Sequence, residues 1–342
     1  MYKRSCRPCY FHQRQARLVT ALQSFSKSPF SSAMEGSIGS PIESSCRIAV
    51  VSGGNKGIGL EICRQLASSG VRVILTARDV SLGMEALEKL KESGLSNVIF
   101  HHLDVTDASS IDSLADFIKT QFGKLDILVN NAAVGGLTVD FSALKESRPT
   151  DHENERDTGE IPEWLQPHVV QTYEMAEQCL RTNYNGIKAV TAALIPLLQS
   201  SDEGRIINVS STLGQLRVIS NEELQRELSD VDSLTEERLD EVMQLFLKHF
   251  KDGELRNHGW PTMAAAYKVS KVLNNAYTRV LAKNLPSLCV NCVNPGFIKT
   301  DLNYNSGILG VEEGARGPVL LALGCHGKAT GHFFDQDKLS DF

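Results

Sequence analysis

From Arg47 onward, short runs rich in β-branched residues alternate with longer stretches in which apolar residues recur three and four positions apart. This alternation leaves few architectures open. Strands are expected at 47–52, 72–77, 98–103, 125–130, 205–210, 289–294 and 331–335, and helices near 57–69, 81–93, 107–122, 172–200, 263–284 and 311–323. Strands that are apolar at nearly every position need cover on both faces, which the right-handed helical crossovers of a parallel sheet provide. The expected fold class is therefore α/β, a doubly wound parallel sheet of the Rossmann type.

A chain of 342 residues has the length of about two domains. One sheet absorbs this length if residues 46–342 form a single domain with two insertions, at about 135–170 and 212–262. In the second insertion, Ser233 and Glu236 have the spacing of a capping box. Leu239, Val242, Met243, Phe246, Leu247 and Phe250 follow on one helical face, so a helix is expected there. Both insertions leave the C-terminal ends of sheet strands and are expected to wall the substrate site.

Residues 1–45 lack strand or helical periodicity and are expected to form a disordered extension. Residues 1–33 hold six basic groups and no Asp or Glu, so the remainder carries −12 where the whole chain carries −6. That composition fits either an organellar transit peptide or an upstream extension with Met34 as the effective start. A cytoplasmic location is expected, or a plastid or mitochondrial one if the segment targets. The acidic body argues against a nucleic-acid partner, and no apolar run approaches the roughly 20 residues that span a bilayer. Eight scattered Cys fit a reducing compartment, the Cys6/Cys9 spacing lacks a second ligand pair, and nine dispersed His give no metal-ligand grouping.

Directly after the first strand comes Ser52-Gly53-Gly54-Asn55-Lys56-Gly57-Ile58-Gly59, followed by an amphipathic helix. Glycines there allow positive φ and close backbone approach, while the helix N-terminus offers free N–H groups to a pyrophosphate. At the end of the second strand the order is Thr76-Ala77-Arg78, with no acidic side chain to hold a ribose 2′-hydroxyl. Arg78, with Lys56 as a second positive charge, is suited to a 2′-phosphate, so NADPH is the expected cofactor.

With these residues the sequence resembles the short-chain dehydrogenase/reductase family, from about residue 46 to the C-terminus. Ser52 to Gly59 is similar to the family's TGxxxGxG turn, and Asn130-Asn131-Ala132-Ala133 to its NNAG element, with Ala133 in the Gly position. Asp104-Val105 resembles the pair that contacts adenine. The resemblance implies a catalytic set of Asn183, Ser211, Tyr267 and Lys271, and a nicotinamide-side segment Pro295-Gly296-Phe297-Ile298-Lys299-Thr300. Cofactor contacts are implied for Ser52, Gly53, Asn55, Lys56, Gly57, Ile58, Gly59, Arg78, Asp104, Val105, Asn131, Tyr267, Lys271, Pro295, Gly296, Ile298 and Thr300.

The chemistry is consistent with that set. Tyr267 and Lys271 are four apart on a helix and share a face. A nearby ammonium and an oxidised nicotinamide are expected to lower the phenol from about 10 toward working pH. The resemblance implies that Ser211 bonds the substrate oxygen, Lys271 holds the nicotinamide ribose and Asn183 positions a water. Tyr184 and Lys188 repeat the Tyr-x-x-x-Lys spacing, but only the later pair follows the serine-bearing strand, so Tyr184 is expected to be helix packing. Cys289 and Cys292 are expected on opposite faces of a strand, and the Asn208 glycosylation sequon lies in a core strand.

The long second insertion resembles that of monomeric carbonyl-reductase-type members, including plant enzymes of alkaloid and terpenoid ketones. The expected activity is therefore that of an NADPH-dependent reductase of an apolar ketone or aldehyde, acting as a monomer on a small molecule. A nonenzymatic NADPH-binding regulator on the same fold is the alternative, and a cofactor-recycling epimerase or dehydratase a third reading.

Overall fold

A computed structural model describes residues 46–140, 166–324 and 327–342. The N-terminal extension, Cys6 and Cys9, and most of the first insertion lie outside the described residues.

Among the described residues seven strands run parallel: β1 (Ile48–Val51), β2 (Arg72–Ala77), β3 (Val98–His102), β4 (Ile127–Asn130), β7 (Arg205–Val209), β8 (Cys289–Asn294) and β9 (Phe333–Asp335). These are the expected strands with their ends trimmed. A three-residue strand, β10 (Lys338–Ser340), adds an antiparallel edge, giving the order β10-β9-β8-β7-β4-β1-β2-β3. A separate two-stranded pair joins β5 (Thr138–Val139) to β6 (Val169–Val170). Elements of two or three residues are too short to show alternation, so β5, β6 and β10 carry no sequence signal.

Successive side chains of each strand enter opposite cores. Val50, Ile74, Leu128 and Ile206 face one side, and Val51, Leu75, Val129 and Ile207 the other. The first core is covered by α3 (Ala108–Phe122), α4 (Tyr173–Leu180), α5 (Gly186–Gln199) and α8 (Ala265–Asn284), the second by α1 (Gly57–Ser68), α2 (Val80–Glu92) and α9 (Val311–Leu323). Burial on both faces explains why the strands lack a polar face. The sheet order reverses between β1 and β4, and the crevice at that point, outside the strands' C-terminal ends, is where such sheets bind ligands.

The connection between β7 and α8 holds two helices, α6 (Glu222–Ser229) and α7 (Glu236–Lys251). In α7 the expected apolar face is buried at Leu239, Val242, Met243, Phe246 and Leu247, with Phe250 packed beside them. Its cap departs from expectation. Ser233 donates to Asp230, whereas Thr235, with extended backbone, accepts from the Arg238 N–H. Ser233 is spent closing the preceding turn, so the hydroxyl adjoining the helix takes the cap. Helix α6 is highly charged, with Leu224 and Leu228 alone buried, and has no counterpart among the expected helices.

Candidate active site

The turn after β1 has the geometry of a phosphate cradle. Gly53 and Gly57 have φ of +65° and +56°, which glycine adopts without strain. A Cβ on Gly59 would overlap the Gly53 carbonyl oxygen and the Asn131 amide. Gly57 opens α1 and faces Thr300, whose methyl is 3.5 Å from where a Cβ would stand. Free N–H groups at the start of α1 thus face a groove whose opposite wall is the segment after β8, so the residues fit a dinucleotide pyrophosphate. In that segment Gly296 has φ of +95°, Ile298 is buried beneath Leu309, and Asn303 closes a turn at Thr300. Pro295 ends the strand. Asn55 and Ile58 are part-buried on the turn and its helix.

Three residues implied as cofactor contacts stand differently. The Ser52 hydroxyl is buried and accepts from the Asn131 and Ala132 N–H groups at 2.9 and 3.0 Å. The Asn131 amide donates to the Ser52 and Gly53 carbonyls, so both side chains brace the turn from behind. Lys56 is turned to the far wall, where it pairs with Asp301 at 2.8 Å and holds that carboxyl below its usual range. Its charge is therefore shared with an acid 245 positions away, whereas Arg78 is exposed just past the end of β2. Burial raises the Asp104 carboxyl, but two hydrogen bonds from Thr106 and the charges of Arg78 and Arg181 outweigh it and hold it low. Val105 packs against Gly186, where a side chain would clash.

Ser211, at the end of β7, hydrogen-bonds the Tyr267 hydroxyl. Lys271 lies one turn further along α8, its ammonium 5.6 Å from the Tyr267 ring centre and 2.8 Å from the Val209 carbonyl oxygen to which it donates. The start of this helix is fixed by Gln171, whose side chain accepts from the Ala265 N–H and donates to the Thr262 carbonyl. Burial pushes the Tyr267 phenol up to about 12 and the Lys271 ammonium down to about 8. Desolvation of the phenolate and the neighbouring Cys179 outweigh the Ser211 hydrogen bond, while the lowering expected beside an oxidised nicotinamide concerns the cofactor-bound enzyme. The phenol is a proton donor at neutral pH.

Asn183 lies in neither of two regular helices. The stretch expected as one helix over 172–200 is interrupted by a π turn, Arg181–Asn185, between α4 and α5. The Asn183 side chain is fully buried. It accepts from the Val134 N–H and donates to the Val134 carbonyl, both at 2.9 Å, and to the Ser270 hydroxyl at 3.1 Å. Ser270 in turn donates to the Tyr267 carbonyl at 2.7 Å. The second Tyr-x-x-x-Lys pair is turned to a different partner: Tyr184 is wholly buried and, with Lys188, bonds Asp240 on α7.

Residues 47–155 and 162–222 match the short chain dehydrogenase family. Salutaridine reductase of Papaver somniferum is 53% identical over 300 residues, 86% of this chain and 96% of that protein. The chain belongs to the short-chain dehydrogenase/reductase family. It is an oxidoreductase acting on alcohol and carbonyl groups, in a family that works with a nicotinamide cofactor. The (+)-neomenthol dehydrogenase of Arabidopsis thaliana is 49% identical over 88% of this chain and 99% of its own length. The solved structure of P. somniferum salutaridine reductase is 54% identical, with a TM-score of 0.79 over 84% of this chain and 99% of that one. The resemblance read from the motifs, and the Rossmann-type fold, are borne out. Among the described residues no helix is long and apolar enough to cross a membrane.

Gln171, Ser270 and Asp240 carry no signal in the motifs. Ser270 sits inside the Tyr-x-x-x-Lys segment, a pattern that specifies only its two end residues. Gln171 and Asp240 act on partners 94 and 56 positions away.

Proposed function

We propose that the protein uses NADPH to reduce the carbonyl of an apolar ketone or aldehyde to an alcohol, with terpenoid or alkaloid ketones as the substrate class. The meeting of Ser211, Tyr267 and Lys271 beside the glycine cradle carries this reading. Ser211 orients the substrate oxygen, and Tyr267, protonated at neutral pH, donates its proton to that oxygen. Lys271, anchored on Val209, holds positive charge beside the phenol and the nicotinamide ribose. The Asn183 side chain is committed to Val134 and Ser270, so the water-positioning role falls to its main-chain carbonyl in the widened turn. When bound, the nicotinamide supplies the hydride. Arg78 meets the 2′-phosphate, which supports NADPH over NADH.

Apolar walls support the substrate class. Val170, Leu302, Tyr304 and Ile308 are exposed on the β5–β6 pair and the segment after β8, and the Val139 N–H bonds the Tyr304 hydroxyl between those two pieces. The 212–262 connection forms the other wall. Packing of α7 on α4 and α8 covers helix surface that would otherwise be free, which supports a monomer. A cytoplasmic location remains part of this reading.

The test is NADPH oxidation by purified residues 34–342 with a panel of cyclic monoterpene ketones, alkaloid ketones, quinones and aldehydes. Turnover is expected with at least one apolar ketone, and Tyr267→Phe is expected to lower it by about 10²-fold or more. Unchanged oxidation in Tyr267→Phe would favour the nonenzymatic regulator.

A further inference from the structure

We infer that Asp240, on the inserted helix α7, is a positioning residue for the reaction centre: it holds from outside the π turn whose inner side presents Asn183. The inference rests on the proposed role of Asn183. The Tyr184 hydroxyl donates to Asp240 at 3.0 Å, and the Lys188 ammonium bonds both carboxylate oxygens at 2.7 Å. Tyr184 is the residue next to Asn183, and Lys188 lies in the first turn of α5, so one carboxylate grips the exit of the π turn and the helix that follows it.

A π turn is a rare form found mostly as a single inserted turn, and it persists where side chains support it. On the inner side, Val134 and Ser270 saturate the Asn183 amide. On the outer side, the Tyr184 ring stands edge-on to Tyr277 at 6.3 Å, and its hydroxyl reaches Asp240. Adjacent residues of a helical turn point about 100° apart. Fixing Tyr184 therefore fixes the rotation of the turn about its axis, and with it the direction of the Asn183 carbonyl.

The pair is ill suited to be a second acid–base site. Burial and the neighbouring Asp240 charge push the Tyr184 phenol above its ordinary range, so it stays a donor. The second Tyr-x-x-x-Lys is thus a clasp. Asp240 is half-exposed, so its ion pair with Lys188 contributes little by Coulomb attraction alone, and the buried Tyr184 bond sets the geometry.

The test compares steady-state kinetics of the parent, Asp240→Ala, Asp240→Asn, Arg238→Ala and Asn183→Ala. Asp240→Ala is expected to lower kcat about tenfold or more while the KM values for NADPH and ketone stay near parental, as a misplaced group would. Asp240→Asn, whose amide oxygen still accepts from Tyr184, is expected to recover most of that loss. Arg238→Ala loosens the same helix at Glu227 and is expected to reduce thermal stability with kcat retained. Parental kcat in Asp240→Ala, or no recovery in Asp240→Asn, would overturn the inference. If Asp240→Ala does not fold, Tyr184→Phe removes only the buried hydroxyl, and parental kcat there would overturn it. Asn183→Ala keeps the main-chain carbonyl but removes the side-chain bonds to Val134 and Ser270 that hold the turn, and is expected to lower kcat as Asp240→Ala does. Parental kcat there would overturn the need for a positioned turn, whereas parental NADPH oxidation in Tyr267→Phe would overturn the proposed reaction itself, so the two failures are distinguishable.

Discussion

The Asn183 amide donates to the Ser270 hydroxyl at 3.1 Å, joining the π turn to the helix that carries Tyr267 and Lys271. Ser270→Ala removes that acceptor and leaves a buried amide N–H with only Val134 and the weak acceptor Cys179. Losing a buried hydrogen bond of this kind costs about 1–3 kcal/mol. We expect a lower melting temperature and a reduced kcat with NADPH KM unchanged. Equal activity in Ser270→Ala would show that the Val134 contacts alone fix Asn183.

Arg78 is the exposed cation at the end of β2, and Lys56 is engaged by Asp301. Arg78→Ala should therefore raise the KM for NADPH by about ten- to a hundredfold, the worth of charged hydrogen bonds to a phosphate, and leave NADH almost untouched. Equal effects on the two cofactors would refute the 2′-phosphate assignment.

Lys271 is 3% exposed, and its ammonium is held down to about 8 from the ordinary 10.5. Between those two values the unfolded chain binds the proton more than the folded one, so this group's contribution to stability rises with pH across that window. Below about pH 8 the folded protein carries the full cost of a buried charge. Lys271→Met lacks this term, so parental stability relative to that variant should improve from pH 8 to 10.5. Urea unfolding of both proteins without cofactor at the two ends of the window measures it, and a difference that shrinks or is constant contradicts it.

A methyl group at Gly59 has no room beneath the Gly53 carbonyl. Gly59→Ala is expected to distort the turn at a cost of about 1–3 kcal/mol and to weaken NADPH binding more than ketone binding. Cofactor titration by fluorescence, beside thermal unfolding, separates the two effects. Unaltered NADPH affinity would mean that the turn does not hold the pyrophosphate.

The central parallel strands were legible because they are buried on both sides, and the resulting apolar runs, such as Ile127 to Val129, have no other economical explanation. Ser211, Tyr267 and Lys271, which the structure brings together, were legible from the order of their segments along the chain, since the Tyr-x-x-x-Lys spacing alone also fits Tyr184 and Lys188. The π turn was not, since apolar spacing continues through Tyr184 and Ile187 as in an unbroken helix. Nor was the diversion of Lys56, whose partner is set by how the segment after β8 folds back. The burial that raises the Tyr267 phenol is likewise not revealed by spacing. Thr235 took the cap from Ser233 because Asp230 competed for the serine, a contact local in sequence but invisible to a motif.

The parallel sheet has a consequence for how the protein comes into being. Ala49 pairs with Ile127, and Arg205 with Cys289, so neighbouring strands are joined through long stretches of intervening chain. The entropy of closing such loops is lost before their contacts form, which slows folding. The groove between Gly57 and Thr300 accordingly draws on opposite ends of the folded chain, which have to find one another before it exists.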